Sequence, residues 1–593
     1  MSEITTRAAV SGGDASPTES AAFAPVALTA STTALALGAS ALLAACGGGG
    51  GGAAADATTA WPATAQHLAG AGGTAPAAPS TPPSLRDAAR FLTQASFGPR
   101  SVDEVEALRS QGFERWLWAQ AQEPTLLHLS YIENQRSRET DKRVTEEMSY
   151  EAVWQQWLTG SDPLRARVSW ALLQIFVISN IAPDIRPHAM SSYLDMLNRN
   201  ALGNYRQLLE DVTLHPAMGY YLNLQGSEKE DPDAGTHPNE NYAREVLQLF
   251  SIGLVKLNAD GSSQGTATYG EDVVKGFAQA FSGWSFGGVN NANADNFHGA
   301  DENDERLWTR PMQPWAQFHA TGPKLLLDGV TLPAGGTPQS DMQAALDNIF
   351  NHPNVGPFIG RQLIQRLVTS NPSAAYIARV AGVFNDNGSG VRGDLKAVVH
   401  AILLDAEARG DTAASQPRFG KAREPVLRFA HVLRALGAKS ENGRNNIHYL
   451  DSADDGLGQS PLLAPSVFNF YSPNYRPAGP LATAGMVAPE FQITSETSLA
   501  GSLNFFSSLF YNGGYGWGPS RLEFNWAPLR ALATDIPALI DRLDLLFFNL
   551  QMSASTRSRM TTLLAAISEN DTLDRVQAAM LLTALSPDHV IQK

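Results

Sequence analysis

Residues 161–179 read "SDPLRARVSWALLQIFVIS" and are apolar around almost the whole circumference of a helix. Asp162 suits a helix cap and Pro163 fits a first turn, where its missing N–H costs nothing. Residues 170–178 present no polar face, so the spacing predicts a central helix buried on all sides. Two features are at odds with a plain core helix. Arg165 and Arg167 sit near the helix start, where the dipole disfavours cations. Gln174 interrupts the apolar run and needs a hydrogen-bond partner once buried.

Outward from this stretch the same 3.6-residue period recurs. "SLRDAARFLTQASFGPR" opens a helix at Ser84 that stops at Gly98-Pro99. Ser101 and Glu104 form a capping box, and the helix it starts carries Val105, Leu108, Phe113 and Trp116 toward a core. Further helices are expected over 204–213, 239–252, 271–281, 339–350, 355–368, 374–384, 394–404 and 425–436. A closing pair is expected near 536–550 and 574–585. Two-residue alternation is scarce, apart from a short hairpin over 256–268 with Asp260-Gly261 as its turn. The fold class is mainly α, a multi-helix body with long aromatic-rich loops. Residues 285–323 and 460–490 are those loops. Their Phe, Trp and Tyr residues suggest ordered coverings over the helical core and walls of a cleft.

The chain has 593 residues, too many for one ordinary domain core. A formal charge of −15, without any long basic run, excludes a nucleic-acid partner. The single cysteine, Cys46, excludes internal disulfides and cysteine zinc clusters.

Cys46 follows "PVALTASTTALALGASALLAA" at 25–45 and precedes six glycines. Leu43-Ala44-Ala45-Cys46 resembles a bacterial lipobox, in which cleavage precedes an acylated cysteine. Residues 1–45 then read as a signal peptide. An uncleaved Ala-rich leader is the alternative, because Arg7 is the lone base against Glu3, Asp14 and Glu19. Residues 46–83 have almost no large side chains and read as a flexible, lipid-anchored tether reaching about 35 Å. Residues 84–496 form the helical body, and 497–593 a C-terminal helical segment packed on it. The expected location is the cell envelope, as an outer-membrane lipoprotein facing periplasm or exterior.

Seven phrases in order resemble one bacterial family, the domain of unknown function numbered 1800. They are "RFLTQASFGPR", "PLRARVSWALLQIFVIS", "NYRQLLEDVTLHPAMGYYLN", "HPNENYAREVLQLFSIG", "FAQAFSGW", "NHPNVGPFIGRQLIQRLV" and "GDLKAVVHAILLDAEAR", with "LLTALSPDHVIQK" closing the chain. The resemblance implies a helical, exported protein, often encoded beside an exported sulfatase-like partner. Many members have a Phe-Trp-His-Asn-His-Phe pattern where residues 171–176 stand here, and a histidine at the place of Phe250. Leu173, Ile175 and Phe250 would leave a metal or haem without those ligands. No metal and no cofactor are expected. In "FHATGPK", relatives often have His-Asp where His319-Ala320 stand, so no His-Asp pair is expected at that point.

The most polar of these phrases, 237–253, supplies the candidate site. Pro238 and Glu240 suit a helix start, and Glu240 with Arg244 makes a favourable i,i+4 pair. Glu240, Arg244 and Glu245 are the candidate catalytic residues. His215, His237, Asn241, Arg165 and Arg167 are candidate binding residues, and Cys46 is the lipidation site. Two readings stand. Arg244 and Glu245 form a buried ion network with Arg165, Arg167 or Asp211, or a carboxylate acts as acid or base while Arg244 anchors the substrate. His215 and His352 look like residues of turns. No G-x-S-x-G elbow is present, and residues 231–235 fail the calcium-loop pattern. The favoured function is binding or assembly with the exported sulfatase-like partner, and the alternative is an extracytoplasmic hydrolase.

Overall fold

The computed structural model describes residues 74–181, 185–301, 303–410 and 415–593. The expected signal peptide, Cys46 and the tether as far as residue 73 lie outside the described residues. At the centre runs the helix Pro163–Leu173, buried at every position with Pro163 in its first turn. It ends three residues after Trp170, and residues 175–179 continue buried but not helical. The stop has tertiary causes. Arg366 donates to the Gln174 carbonyl, Ser179 Oγ donates to Ala464 O, and Asn180 N donates to Leu462 O. Asp162 makes no capping bond. It accepts instead from Thr125 Oγ1 at 2.6 Å and from Gln156 Nε2 at 3.3 Å.

Around this rod pack the helices Leu85–Ala95, Phe113–Gln122, Glu146–Thr159, Pro187–Asn200 and Val355–Leu367. Among the described residues there are twenty-three α-helices and five two-stranded antiparallel sheets, so the fold is mainly α. One apolar core runs from Ala88 to Ala584 and includes the C-terminal helices. No helix among the described residues is long and apolar enough to cross a membrane.

Most expected helices occur within a few residues of their predicted bounds, and the hairpin Val255–Leu257 with Ser263–Ala267 turns at Gly261. Three further expectations are corrected. The helix begun at Ser101 does not reach Trp116. Gly112, at φ +81° and with Pro79 where a Cβ would stand, divides it into Val102–Gln111 and Phe113–Gln122. The capping box is displaced: Ser101 Oγ accepts from Glu104 N, but Glu104 accepts from Arg100 N. The helix expected over 239–252 covers only Asn241–Gln248.

The helix Val355–Leu367 ends inside the protein, where its last carbonyls need donors. Arg167 Nη2 and Lys421 Nζ donate to Arg366 O at 2.5 and 2.8 Å. Gln592 Nε2 donates to Leu367 O at 3.1 Å and to Val368 O at 3.3 Å. In return Arg366 Nη2 reaches Gln174 O at 2.9 Å, so each of the two central helices caps the other. Gln592 is held there because Ile591–Gln592 pairs with Lys421–Ala422.

Three histidines are sealed in this interior. Burial lowers His215 to about 3, and lowers His431 and His589 well below the ordinary imidazole value. His215 Nδ1 accepts from Ala217 N, which suits a neutral ring.

Two expectations follow from this packing. Arg366→Met takes the donor from the Gln174 carbonyl and should lower unfolding free energy by about 3 kcal/mol in urea titration. A loss below about 0.5 kcal/mol would mean that the helix ends do not need it. Below pH 6.5 the unfolded chain takes up protons that His215, His431 and His589 refuse when folded. Stability is therefore complete above that pH and falls as pH drops, by about 1.4 kcal/mol per unit for each histidine. Glu490, whose carboxyl burial raises, offsets part of the loss. A melting temperature equal at pH 7.5 and 5.5 would contradict this sign.

Candidate functional site

The polar phrase at 237–253 folds into a short surface helix. Glu240 precedes it without a capping bond, and Asn239 Oδ1 accepts from Asn241 N instead. Arg244 Nη2 bonds Glu240 at 2.6 Å and Glu271 at 2.5 Å, with 41% of its side chain exposed. Such exposed pairs contribute about 0–1 kcal/mol. His237 is exposed, and Asn241 is exposed with its amide on Asn223.

The network expected between this helix and Arg165, Arg167 or Asp211 does not form. Arg165 lies 3.8 Å from Asp162 and donates to Asn198 O, Arg167 caps the helix Val355–Leu367, and Asp211 accepts from Asn200 and Gln207. Two helical turns are too short to carry Arg244 inward, and Glu271 offers a partner at the surface. Glu245 differs from its neighbours. Its Oε2 is buried with no hydrogen-bond partner, and burial raises its carboxyl above the usual range while Arg244 offsets part of the shift. It lies near Tyr221 and Tyr269, whose hydroxyls are pushed up to about 12 by burial and by its charge. His215 bonds Ser192 Oγ through Nε2 and packs edge-on against Tyr193, a structural position.

A denser polar assembly lies beside the central helix, and Gln174 is its hub. Gln174 Oε1 accepts from Tyr471 at 2.8 Å and Asn469 at 3.2 Å, while Nε2 donates to Glu424 Oε2 at 3.0 Å. Trp170 and Gln459 donate to the same Glu424 oxygen. Arg167, Arg366 and Lys421 supply positive charge nearby, and Lys421 pairs with buried Glu490 at 2.9 Å. Sequence reading found Gln174 but missed Glu424, because a glutamate before Pro425 looks like an ordinary helix start.

This assembly underlies a cleft of about 460 Å³ between the end of the helix Asn241–Gln248, the hairpin, the helix Val355–Leu367 and the loop at 467–474. Its rim is apolar and exposed: Leu254 at 54%, Val255 at 40% and Phe468 at 56%. Its floor is polar and buried, formed by Gln362, Gln365, Arg366 and Tyr471. Gln362 Nε2, Gln365 Oε1 and Arg366 Nε have no hydrogen-bond partner there. Ile175 forms part of the wall, whereas Phe250 packs on Phe176 in the core. The loop at 460–490 thus walls a cleft. The loop at 285–323 is a covering, with Phe286, Phe297, Trp308 and Trp315 turned inward.

Two other constellations are explained by structure. His319 does meet an aspartate, brought by the helix Pro338–Asn351 rather than by the next residue: Nε2 lies 3.0 Å from Asp341, which also holds Lys324 at 2.7 Å. The nearby Ser282 hydroxyl, itself fully buried, donates to Gln279 O and accepts from Ala320 N, so it is a packing element. Glu133, His188 and Glu305 could together hold a cation, but Arg136 already bridges both glutamates at 3.5 and 2.7 Å.

No curated protein and no solved structure matches the chain. A family model described as "Protein of unknown function (DUF1800)" matches residues 90–591, from the first helix of the body to the final strand. The helices around the cleft and the C-terminal residues that cap them all fall within that match, and the chain belongs to this family.

Proposed function

We propose that the protein is an exported, lipid-anchored binding protein that takes an apolar segment of a partner polypeptide into the cleft rimmed by Leu254, Val255 and Phe468. The observation carrying this reading is the pairing of an apolar mouth with unmet amide groups in the floor. A peptide offers apolar side chains for the rim, above a floor whose Gln365 Oε1 and Gln362 Nε2 are buried without partners. Exposed apolar side chains gathered at one rim are what a recognition surface requires. The lipobox and tether supply the address: Cys46 carries the lipid and holds the body in the cell envelope, at the outer membrane. The exported sulfatase-like protein implied by the family resemblance is the partner of this proposal.

A second reading rests on half-buried Glu245, whose Oε2 has no hydrogen-bond partner and whose carboxyl burial raises above the usual range, the direction that suits a general acid. In that case Glu240 and Arg244 border the substrate, and the reaction is a hydrolysis outside the cytoplasm.

Co-purification from the native host in mild detergent should recover the partner with the wild-type chain. Phe468→Asp and Leu254→Asp should each cut that recovery about tenfold, a change of about 1.4 kcal/mol, with an unchanged melting temperature. Recovery of the chain alone at every salt concentration would reject the binding reading. Cys46→Ala should move the protein from the membrane fraction to the soluble fraction, and unchanged fractionation would remove the lipid anchor. For the second reading, Glu245→Gln should abolish polysaccharide hydrolysis at an unchanged melting temperature. A variant that unfolds, or wild-type protein without hydrolysis, would leave Glu245 a structural residue.

A further inference from the structure

On the other side of Arg361 from the peptide cleft opens a second cavity, of about 990 Å³. Its walls are residues 369–374, the segment 416–419, and the loop from Arg476 to Val487. Asn371 ties two of these walls together, donating to Val487 O and accepting from Val487 N at 2.9 and 2.8 Å.

Among the described residues, three arginines line this space, Arg361, Arg418 and Arg476, against one carboxylate, Glu407. Glu407 is already committed to Arg379 at 3.1 Å and to the Ser373 hydroxyl. None of the three arginines forms an ion pair among the described residues. Arg361 is half-buried and makes one bond, to Asn474 Oδ1 at 3.0 Å. Burial and the neighbouring Arg476 charge both work against its guanidinium. Ser370 borders the cavity as well; it is 3% exposed, and its hydroxyl is buried without a hydrogen-bond partner.

The chain carries a net charge of −15, so carboxylates are plentiful elsewhere on it. Three uncompensated guanidiniums around one concavity are the inverse of that average. Arg418 and Arg476 are exposed and Arg361 is half-buried, and like charges gathered at one concavity strengthen its attraction for an anion. Guanidiniums also match the planar or tetrahedral oxygens of carboxylate, sulfate and phosphate groups. The volume far exceeds one inorganic ion and falls in the range of small-molecule sites.

We propose that this cavity binds a small polyanion of about disaccharide size, bearing several oxyanion groups held by Arg361, Arg418 and Arg476. The site is distinct from the peptide cleft and borders it through Arg361.

Isothermal titration of the purified chain with sucrose octasulfate, citrate, inorganic sulfate and unmodified sucrose tests this. Both polyanions share the required chemistry, and their relative affinities separate sulfate esters from carboxylates as its source. At least one of them should bind with one-to-one stoichiometry, more tightly than inorganic sulfate, and sucrose should not bind. Arg476→Gln and Arg418→Gln should each weaken binding about tenfold, as expected for loss of one charge-assisted contact. Arg206→Gln, at a half-buried arginine outside the cavity that pairs with Glu210 and Asp347, should leave it unchanged. Circular dichroism should give the same melting temperature for all three variants. Equal binding of sucrose, equal affinity for inorganic sulfate, or equal loss in Arg206→Gln would each overturn the proposal. So would binding that survives both cavity substitutions, or no binding of either polyanion.

Discussion

A helix that ends in the interior of a protein exposes carbonyls that water cannot reach, and the architecture here turns on meeting that demand for the helix Val355–Leu367. Each buried carbonyl left without a donor costs about 1–3 kcal/mol. The donors come from far away in sequence: Arg167 from the central helix, Lys421 from a short strand, and Gln592 from the penultimate position of the chain. The helix end is therefore satisfied only when three remote segments have arrived together. That condition ties the C-terminal helices to the body through polar bonds as well as through the shared apolar core. The reciprocal bond from Arg366 to Gln174 ends the central helix at the point where it would otherwise run on.

The same arrangement makes the cleft floor rigid. Arg167, Arg366 and Lys421 outnumber Glu424 and Glu490 in the interior, and most of their hydrogen-bonding partners are carbonyls and amides in fixed directions. Glu424 holds Gln174, and Gln174 holds Asn469 and Tyr471 of the covering loop. Asn469 adopts φ +66°, a left-handed conformation that asparagine tolerates better than most residues. With Asn469 and Tyr471 pinned inward, Phe468 is turned outward to the rim. A buried polar network thus sets the position of an exposed aromatic residue, which connects packing to recognition.

Much of the fold was legible because apolar periodicity survives wherever one helix face meets a core. It failed where the buried face is polar. The helix Pro187–Asn200 buries Ser191, Ser192, Asp195 and Asn198, so its sequence lacks the expected stripe. Gly112 was not recognised as a break, because only the left-handed backbone and the approach of Pro79 reveal the need for it. Gln174 announced a buried partner, but nothing local could say that Glu424 stands 250 residues further on. The opposite error occurred at Arg244. A dense charge pattern at 240–245 suggested enclosure, yet a short helix beside Glu271 meets its own ionic needs at the surface. His319 shows why adjacency in sequence is a poor guide to pairing, since its aspartate comes from another helix.

Arg361 gives the two cavities a common element. On one side its guanidinium bonds Asn474, in the loop that also carries Phe468; on the other it faces the charge of Arg476 across the larger cavity. An anion placed among the arginines would relieve that repulsion, while a peptide in the cleft would press on the loop that holds Asn474. Both events act on one side chain with two sets of partners. Any influence of one ligand on the affinity of the other must then be matched by an equal influence in return, because the coupling free energy belongs to the pair of sites. Ile175 gives the cleft an apolar wall, and Phe250 packs at a tilt against Phe176 behind it, so the cleft keeps an apolar side above a floor charged by Arg366.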